Sequence, residues 1–265
     1  FAPVSIVAVV GDDFPDAHIA FFHQKGIDTA GLQRRPGKTF RWKGKYVQED
    51  LNIATTLETQ LNVFADFTPS LRSEHRSLEY LFLGNIDPDL QRSVLEQMRR
   101  PKVVACDTMN YWIKHKRDSL MKTLSLVDIL VINDAETKQL AGESNLIRAA
   151  RCVLSWGPKT IVVKRGEYGA LMFRAKSVFG APAFPIEEVV DPTGAGDSFA
   201  GGFMGYLAAS GATDEEAMRK AIVFGSVMAS FNVSEFGPQR LGDLTFTEIE
   251  ARFRQFRELT HFEDI

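Results

Sequence analysis

Short apolar runs alternate with amphipathic segments along most of this chain, and this alternation limits the folds open to it. Short apolar runs are typical of buried strands, whereas apolar residues spaced three and four apart indicate helices. Strands joined through helices run parallel, with helices on both faces of the sheet. The pattern predicts strands at residues 4–10, 80–84, 102–106, 128–132 and 160–164, and helices at residues 15–25, 90–99, 111–124, 135–141, 144–155, 197–209, 214–231 and 245–257. Asp12 and Asp13 are available to cap the first helix.

Polar and glycine residues follow the predicted strands. In parallel sheets, ligands bind at the carboxyl ends of the strands, so these residues are candidates for a binding site. The residues expected along this edge are Gly11, Gly84, Asn85, Asp107, Asn133 and Gly166.

Two stretches depart from the alternation. Residues 37–67 show the alternation typical of strands, with Phe40, Trp42 and Tyr46 around a predicted turn at residues 43–45. They predict a small β-flap. Residues 169–190 predict a meander of short strands. The expected organisation is α/β, with a single domain over residues 1–265 and a flap at about residues 37–67.

Composition excludes several classes of protein. Lys and Arg total 31 against 34 Asp and Glu, a net charge of −3, so nothing favours nucleic-acid binding. The longest nearly apolar run, residues 199–209, is far shorter than the roughly 20 residues of a membrane span. The two cysteines, Cys106 and Cys152, lie in apolar stretches and predict a reducing cytoplasm.

The most informative run is DPTGAGDSF, residues 191–199. Two glycines let the backbone approach a ligand where a helix begins, and free amides at a helix start form an anion site. Asp197 is the carboxylate within that site, placed to remove a proton from an attacking hydroxyl. The structural alternative is a glycine-rich turn in which Asp197 only begins a helix. A dinucleotide fingerprint needs a third glycine where Phe199 stands, and a P-loop needs a lysine where Asp197 stands.

Residues 191–203, DPTGAGDSFAGGF, resemble the C-terminal signature of the ribokinase family, also called the PfkB carbohydrate kinases. VGDDF (10–14), NDAE (133–136) and VKRGEYGA (163–170) resemble further motifs of that family, in the family's order. The resemblance implies a three-layer α/β/α sandwich with a mostly parallel sheet and a β-flap lid. It implies transfer of the ATP γ-phosphate to a hydroxyl of a sugar or nucleoside.

The resemblance also implies roles for individual residues. Asp197 matches the catalytic base, and Gly194, Ala195 and Gly196 match the anion hole. Glu136 matches the residue that organises Mg²⁺ through water, and Asp191 a position that binds a monovalent cation such as K⁺ in some members. The implied ATP-binding residues are Asn133, Lys164, Gly166, Thr193 and Asn232. The substrate-binding candidates are Asp12, Gly84, Asn85, Asp107 and Asn110.

Structural alternatives stand beside these roles. Asn133 and Glu136 have the spacing of an N-terminal capping box. Lys164 could be a strand-end cation and Asn232 a helix C-cap.

Alternative functions also remain open: a non-catalytic regulator that binds nucleotide or sugar, and a vitamin-type kinase for a hydroxymethylpyrimidine or pyridoxal. The flap favours a sugar or nucleoside kinase. Its aromatic edge fits two alternatives: a homodimer through the lid, or packing of the same aromatic side chains on the substrate. Because the family's first strand and Gly-Gly motif do not precede Phe1, we expect the chain to be N-terminally incomplete.

Overall fold

The computed structural model describes residues 1–47 and 50–261. Gln48 and Glu49 of the predicted flap, and residues 262–265 of the predicted domain, lie outside the described residues. The chain divides into two compact units. The N-terminal unit comprises Ala2–Leu81 and Ile86–Lys102; the C-terminal unit comprises Phe1, Phe82–Asn85 and the chain from Val103 onward.

The described residues form ten strands and ten α-helices. The strands are β1 (Ser5–Gly11), β2 (Asp28–Arg35), β3 (Arg41–Val47), β4 (Asp50–Gln60), β5 (Tyr80–Leu83), β6 (Val103–Asp107), β7 (Ile129–Asn133), β8 (Thr160–Lys164), β9 (Ala170–Arg174) and β10 (Val178–Ala181). The helices are α1 (Asp16–Gln24), α2 (Pro88–Gln97), α3 (Asn110–His115), α4 (Arg117–Leu124), α5 (Asp134–Ala141), α6 (Leu146–Leu154), α7 (Ala195–Ser210), α8 (Glu215–Asn232), α9 (Gln239–Asp243) and α10 (Phe246–Thr260).

The C-terminal unit is built on a sheet with the strand order β10-β9-β8-β7-β6-β5. β6, β7 and β8 run parallel, and β9 and β10 continue the sheet antiparallel. The central strands are almost wholly apolar and buried, because helices cover both sides of the sheet. The predicted α/β class with a mainly parallel sheet is therefore confirmed.

Three strands of this sheet end in polar residues at the same edge. Asp107, Asn133 and Lys164 are the last residues of β6, β7 and β8. The register pairs Asn133 directly with Lys164. Gly11, predicted at the same edge, belongs to the N-terminal unit and is described with it.

The N-terminal unit contains two small sheets. In one, β1 and β2 run parallel; in the other, β3 and β4 form an antiparallel hairpin that accounts for most of the predicted flap. Strand β2 was not predicted, because its sequence DTAGLQRR is largely polar and most of its residues are only half-buried. Strands in that environment lack the apolar run on which sequence prediction relies.

The predicted turn at residues 43–45 is wrong. Lys43 pairs with Glu58 and Gly44 with Thr56, so both residues lie within β3, where the register shifts at an irregularity. Glycine there marks a bulge rather than a turn. A Cβ on Gly44 would lie 2.1 Å from the Trp42 ring, so the absent side chain makes room for the indole.

The predicted cap of α1 is also wrong. The residue before α1 is Pro15, and no side chain caps the helix. Asp13 accepts hydrogen bonds from the Thr39 amide and hydroxyl, each at 2.7 Å, and Asp12 accepts one from the Gly37 amide at 3.2 Å. Both carboxylates therefore hold the start of the hairpin segment instead of the helix.

Other differences from the predicted elements are local. The helix expected at residues 111–124 is two helices, because Lys116 leaves the helical conformation with φ −135°. The expected meander contains β9 and β10 but no described strand between residues 182 and 190, and the short helix α9 was not predicted. Among the described helices, none combines the length and apolar character that a membrane crossing requires.

Candidate active site

The loop over residues 191–196, the glycine loop, leads into the first turn of α7. Gly194 precedes the helix with φ 81°, a left-handed conformation that glycine adopts readily. The amide of Ala195 donates to the Pro192 carbonyl at 3.1 Å. Within the described part of the chain, the amides of Gly196 and Asp197 have no acceptor. These two donors, at the start of a 16-residue helix, suit an anion.

Asp191 holds the glycine loop in place. Its Oδ1 accepts from the Thr193 amide at 3.0 Å and its Oδ2 from the Gly237 amide at 3.3 Å. Burial by itself would raise the pKa of Asp191, but the hydrogen bonds from Thr193 and Gly237 outweigh it and lower the pKa.

Asn232 also holds the glycine loop in place. This buried side chain donates through Nδ2 to the Thr193 carbonyl at 2.8 Å and accepts from the Ser198 hydroxyl at 2.9 Å. It is the last residue of α8, and the C-cap is Val233, so the C-cap alternative is wrong. Asn232 joins the end of α8 to the start of α7.

Asn133 and Glu136 form the capping box that was the structural alternative for this pair. The Glu136 amide donates to Asn133 Oδ1 at 2.7 Å, and the Asn133 amide donates to Glu136 Oε2 at 3.2 Å. Burial raises the pKa of Glu136, while hydrogen bonding from Asn133 and the charge of Lys164 oppose that rise. The box orients the Glu136 carboxylate as well as capping α5.

Three carboxylates and one ammonium interact electrostatically at this edge of the sheet. Asp107 is 8% exposed. Its burial raises its pKa to about 7; the charge of Lys164 opposes this rise, and the carboxylates of Asp197 and Glu136 add to it. The cluster therefore carries an excess of negative charge, which a cationic ligand would relieve.

Lys164 brings its ammonium to the first turn of α7. A Cβ built on Gly196 would lie 2.7 Å from Lys164 Nζ, a separation that real Cβ atoms essentially never show. Between residues 1–47 and 50–261, no carboxylate oxygen lies within 4.0 Å of this ammonium. Lys164 as a residue is half-buried.

The remaining predicted residues lie at several places. Gly84 and Asn85 follow β5, and Asn110 begins α3, where its amide acts on the Glu136 carboxylate. Gly166 begins a turn after β8 with φ 54°. Asp12 belongs to the N-terminal unit and contacts Gly37 there.

Among the described residues, no group of three or more His, Cys, Asp or Glu side chains forms a metal cage. Magnesium in kinases is held mainly by nucleotide phosphates and water, with few protein carboxylates, so the cage is not required. Glu136, oriented by its capping box within a cluster of excess negative charge, fits that water-mediated role.

Comparison with known proteins identifies the family. The model of the pfkB family of carbohydrate kinases matches residues 2–243. The chain belongs to the pfkB family of carbohydrate kinases. It is accordingly a phosphotransferase whose acceptor is a hydroxyl group of a sugar or nucleoside.

The chain is also similar to individual known proteins. A cytidine kinase of Thermococcus kodakarensis is 33% identical over 211 residues, which are 77% of this chain and 74% of that protein. The Methanocaldococcus jannaschii nucleoside kinase superposes with a TM-score of 0.75 at 17% identity, over 96% of this chain and 81% of that one. An aminoimidazole riboside kinase from Salmonella enterica, solved with aminoimidazole riboside and an ATP analogue, gives 0.71 at 20% identity, over 96% of this chain and 86% of that one. These structures confirm the ribokinase-like fold.

Two residues of this pfkB-family site were not predicted. Ser198 belongs to the glycine-rich run but acts through Asn232, which lies 34 residues further on. The Trp112 indole donates to Asn85 Oδ1 at 3.0 Å and so orients one of the substrate candidates. No local pattern signals either contact, because each joins distant segments of the chain.

Proposed function

We propose that this protein transfers the γ-phosphate of ATP to a hydroxyl of a sugar or nucleoside, with Asp197 as the general base. One observation carries the assignment: the Asp197 carboxylate stands in the first turn of α7, where two adjacent amides have no acceptor in the described chain. A base beside an anion site meets the two requirements of phosphoryl transfer, since one group takes the proton and the other stabilises the charge.

In the proposed reaction, an Asp197 oxygen accepts the proton of the acceptor hydroxyl as the hydroxyl oxygen attacks the γ-phosphorus of ATP. The bond from this phosphorus to the oxygen bridging the β-phosphate breaks, and ADP leaves with that oxygen. The amides of Gly196 and Asp197 donate to the oxygens of the phosphoryl group, which bear the developing charge. Gly194 supplies the left-handed turn that presents them. Ala195 was predicted as a donor of the anion hole together with Gly194 and Gly196; its amide donates to the Pro192 carbonyl, so we assign Ala195 to the turn. Bound Mg²⁺ supplies charge neutralisation of the phosphates, and Glu136 would hold it through water.

The nucleotide-binding assignment rests on the same edge of the sheet. Asn133 and Lys164 are neighbours in the register, Gly166 follows them, and Thr193 lies in the glycine loop. Asn232 is assigned a supporting role here, because its amide is bound to Thr193 and Ser198.

The acceptor is assigned to Asp107, Asn110, Gly84 and Asn85 of the C-terminal unit. The substrate-binding role that the resemblance implies for Asp12 stays a prediction. A cytidine kinase and a nucleoside kinase among the similar proteins favour testing nucleosides first. The monovalent cation at Asp191, the lid function of the flap and a cytoplasmic location stay predictions.

The decisive measurement is ADP release with Mg·ATP across a panel of nucleosides, sugars and inositols. We expect acceptor-dependent release, and a loss of at least about 1,000-fold in kcat for Asp197→Asn, because the base is removed while the amides remain. Nucleotide binding by this variant, measured by calorimetry, should stay within about threefold of the unsubstituted protein.

Asp243→Asn, at an exposed carboxylate on α9, is the matched control and should keep full turnover. Undiminished turnover in Asp197→Asn would refute the mechanism. Nucleotide binding without turnover on any acceptor would instead favour the alternative of a non-catalytic regulator.

A further inference from the structure

Lys164 and Gly196 lie 32 positions apart in the chain, yet the lysine ammonium reaches the place that a side chain at position 196 would fill. Lys164 ends β8, and Gly196 is the second residue of α7. Lys164 Nζ occupies the space into which a side chain at position 196 would project, at 2.7 Å from the Cβ position. The ammonium is therefore packed against the turn whose amides face the proposed anion site.

An ion pair with a neighbouring carboxylate does not explain the position of the Lys164 ammonium. Asp107 and Glu136 are near enough for the lysine charge to act on them, yet no carboxylate in the described chain approaches within 4.0 Å. A lysine recruited only to neutralise a carboxylate would close to hydrogen-bond distance, as Lys159 does with Asp128 at 2.7 Å.

We propose that the Lys164 ammonium binds the phosphoryl group during its transfer, and that residue 196 is glycine so that this cation can lie against the first turn of α7. The inference rests on the proposed function and adds a catalytic residue to it. Lys164 supplies the full positive charge at a site where the amides of Gly196 and Asp197 supply only partial charges.

A cation at this point offsets a repulsion. Asp197 and Glu136 are carboxylates whose negative charge would repel the phosphoryl oxygens as these approach the glycine loop. A compact ammonium with three donor hydrogens attracts the oxygens and leaves the Asp197 carboxylate able to take the proton. The attraction grows as charge develops on the transferred group, so it acts mainly on kcat.

The first test compares Lys164→Met with Lys164→Arg and with the control Lys176→Met, which removes an exposed lysine between β9 and β10. We expect Lys164→Met to lower kcat by about 100-fold or more, with the KM for ATP changed less than about threefold. Lys164→Arg should recover part of the loss, and Lys176→Met should leave both constants unchanged. A kcat within twofold of the unsubstituted enzyme, or an effect on KM alone, overturns the proposal.

The second test asks whether Gly196 is needed for the lysine. Gly196→Ala should lower kcat about 10-fold or more in the normal enzyme, since its Cβ displaces the ammonium. In a Lys164→Ala background the same change should have at most a twofold effect, because the space is empty. Gly201→Ala, in the same helix with no atom within 4 Å of the added Cβ, is the control. Independent, multiplying effects of the two changes would refute the coupling.

A wrong proposed function and a wrong role for Lys164 would give different results in these experiments. If the proposed function is wrong, the unsubstituted protein shows no acceptor-dependent ADP release, or Asp197→Asn remains active. If only the present inference is wrong, Asp197→Asn is inactive while Lys164→Met keeps its kcat. Melting temperatures of all variants separate loss of folding from loss of catalysis. The comparison of Gly196→Ala in the normal and Lys164→Ala backgrounds is a second line of evidence.

Discussion

The surroundings of Asp107 disfavour the ionised form of its carboxyl group. It ends β6 with only 8% of its surface exposed. Burial raises its pKa to about 7, against the attraction of Lys164 and with the repulsion of Asp197 and Glu136. A carboxyl poised near neutral pH at the end of a parallel strand is a common feature of functional sites, which agrees with its predicted place beside the acceptor.

The raised pKa of Asp107 predicts how the stability of the folded protein depends on pH. The folded chain holds a proton on Asp107 up to about pH 7, whereas the unfolded chain releases it near pH 4. The folded state therefore binds more protons between these values, and stability falls as pH rises from about 4 to 7. Asp107→Asn removes that fall, so we expect the variant to be more stable than the unsubstituted protein at pH 8, by roughly 1–3 kcal/mol.

Urea unfolding at pH 5 and pH 8 measures the effect. The advantage of Asp107→Asn should be absent or reversed at pH 5, where the unsubstituted carboxyl is already protonated. Asp243→Asn, which removes an exposed carboxylate, controls for the change in net charge. Equal pH dependence in the unsubstituted protein and in Asp107→Asn would contradict the predicted protonation.

Helices α7 and α8 form the element pair on which the glycine loop rests. Small residues on both helices let their backbones approach closely. A Cβ on Gly202 would lie 2.7 Å from the Phe224 carbonyl, and one on Gly225 would lie 2.8 Å from the Phe199 carbonyl. Because Asn232 ends α8 and holds Thr193, the separation of the helices also sets the geometry of the loop.

Gly202→Ala should destabilise the protein by roughly 1–3 kcal/mol, because its methyl group meets backbone that cannot move away without separating the helices. Gly201→Ala is the matched control on the same helix, with open space around its Cβ; it should be neutral or stabilise by up to about 1 kcal/mol. Chemical denaturation of both variants measures the difference. Equal effects would show that helix propensity, and not packing, governs these positions.

At the scale of the whole molecule, the β3–β4 hairpin is the candidate surface for self-association. It carries exposed apolar side chains, among them Trp42 and Leu57, with Phe40 just before it. Among the described strands, β3 and β4 pair with each other and with no third strand, and a second copy can extend such a hairpin. We propose this hairpin as the contact of a homodimer, which is one of the two roles that the sequence allowed for the flap.

Light scattering coupled to size exclusion tests the dimer. We expect a mass near twice the 29.6 kDa of the chain and a shift toward the monomer for Leu57→Glu, since a charge would be buried at the contact. Leu259→Glu, at an exposed leucine near the end of α10, is the control and should remain dimeric. A monomeric unsubstituted protein, or an unchanged mass for Leu57→Glu, would refute this contact.

The sequence by itself largely determined the features that are formed by residues close together in the chain. The alternating apolar runs predicted the buried strands β6, β7 and β8. The i, i+3 spacing of Asn133 and Glu136 indicated the capping box as the structural alternative to their binding roles. The glycine-rich run predicted the turn before α7. Each reflects backbone conformation or hydrogen bonding over a few residues, which local pattern describes.

Only the tertiary structure decided which distant residues meet. Asp13 was available to cap α1, but the competing donors of Thr39, 26 positions away, bind it instead. Glu136 and Asp197, whose charges add to the burial that raises the pKa of Asp107, lie on α5 and α7, and Lys164 approaches Gly196 because β8 ends beside α7. Burial, charge interactions and steric exclusion depend on distances in space, and the order of the residues in the chain does not specify these distances.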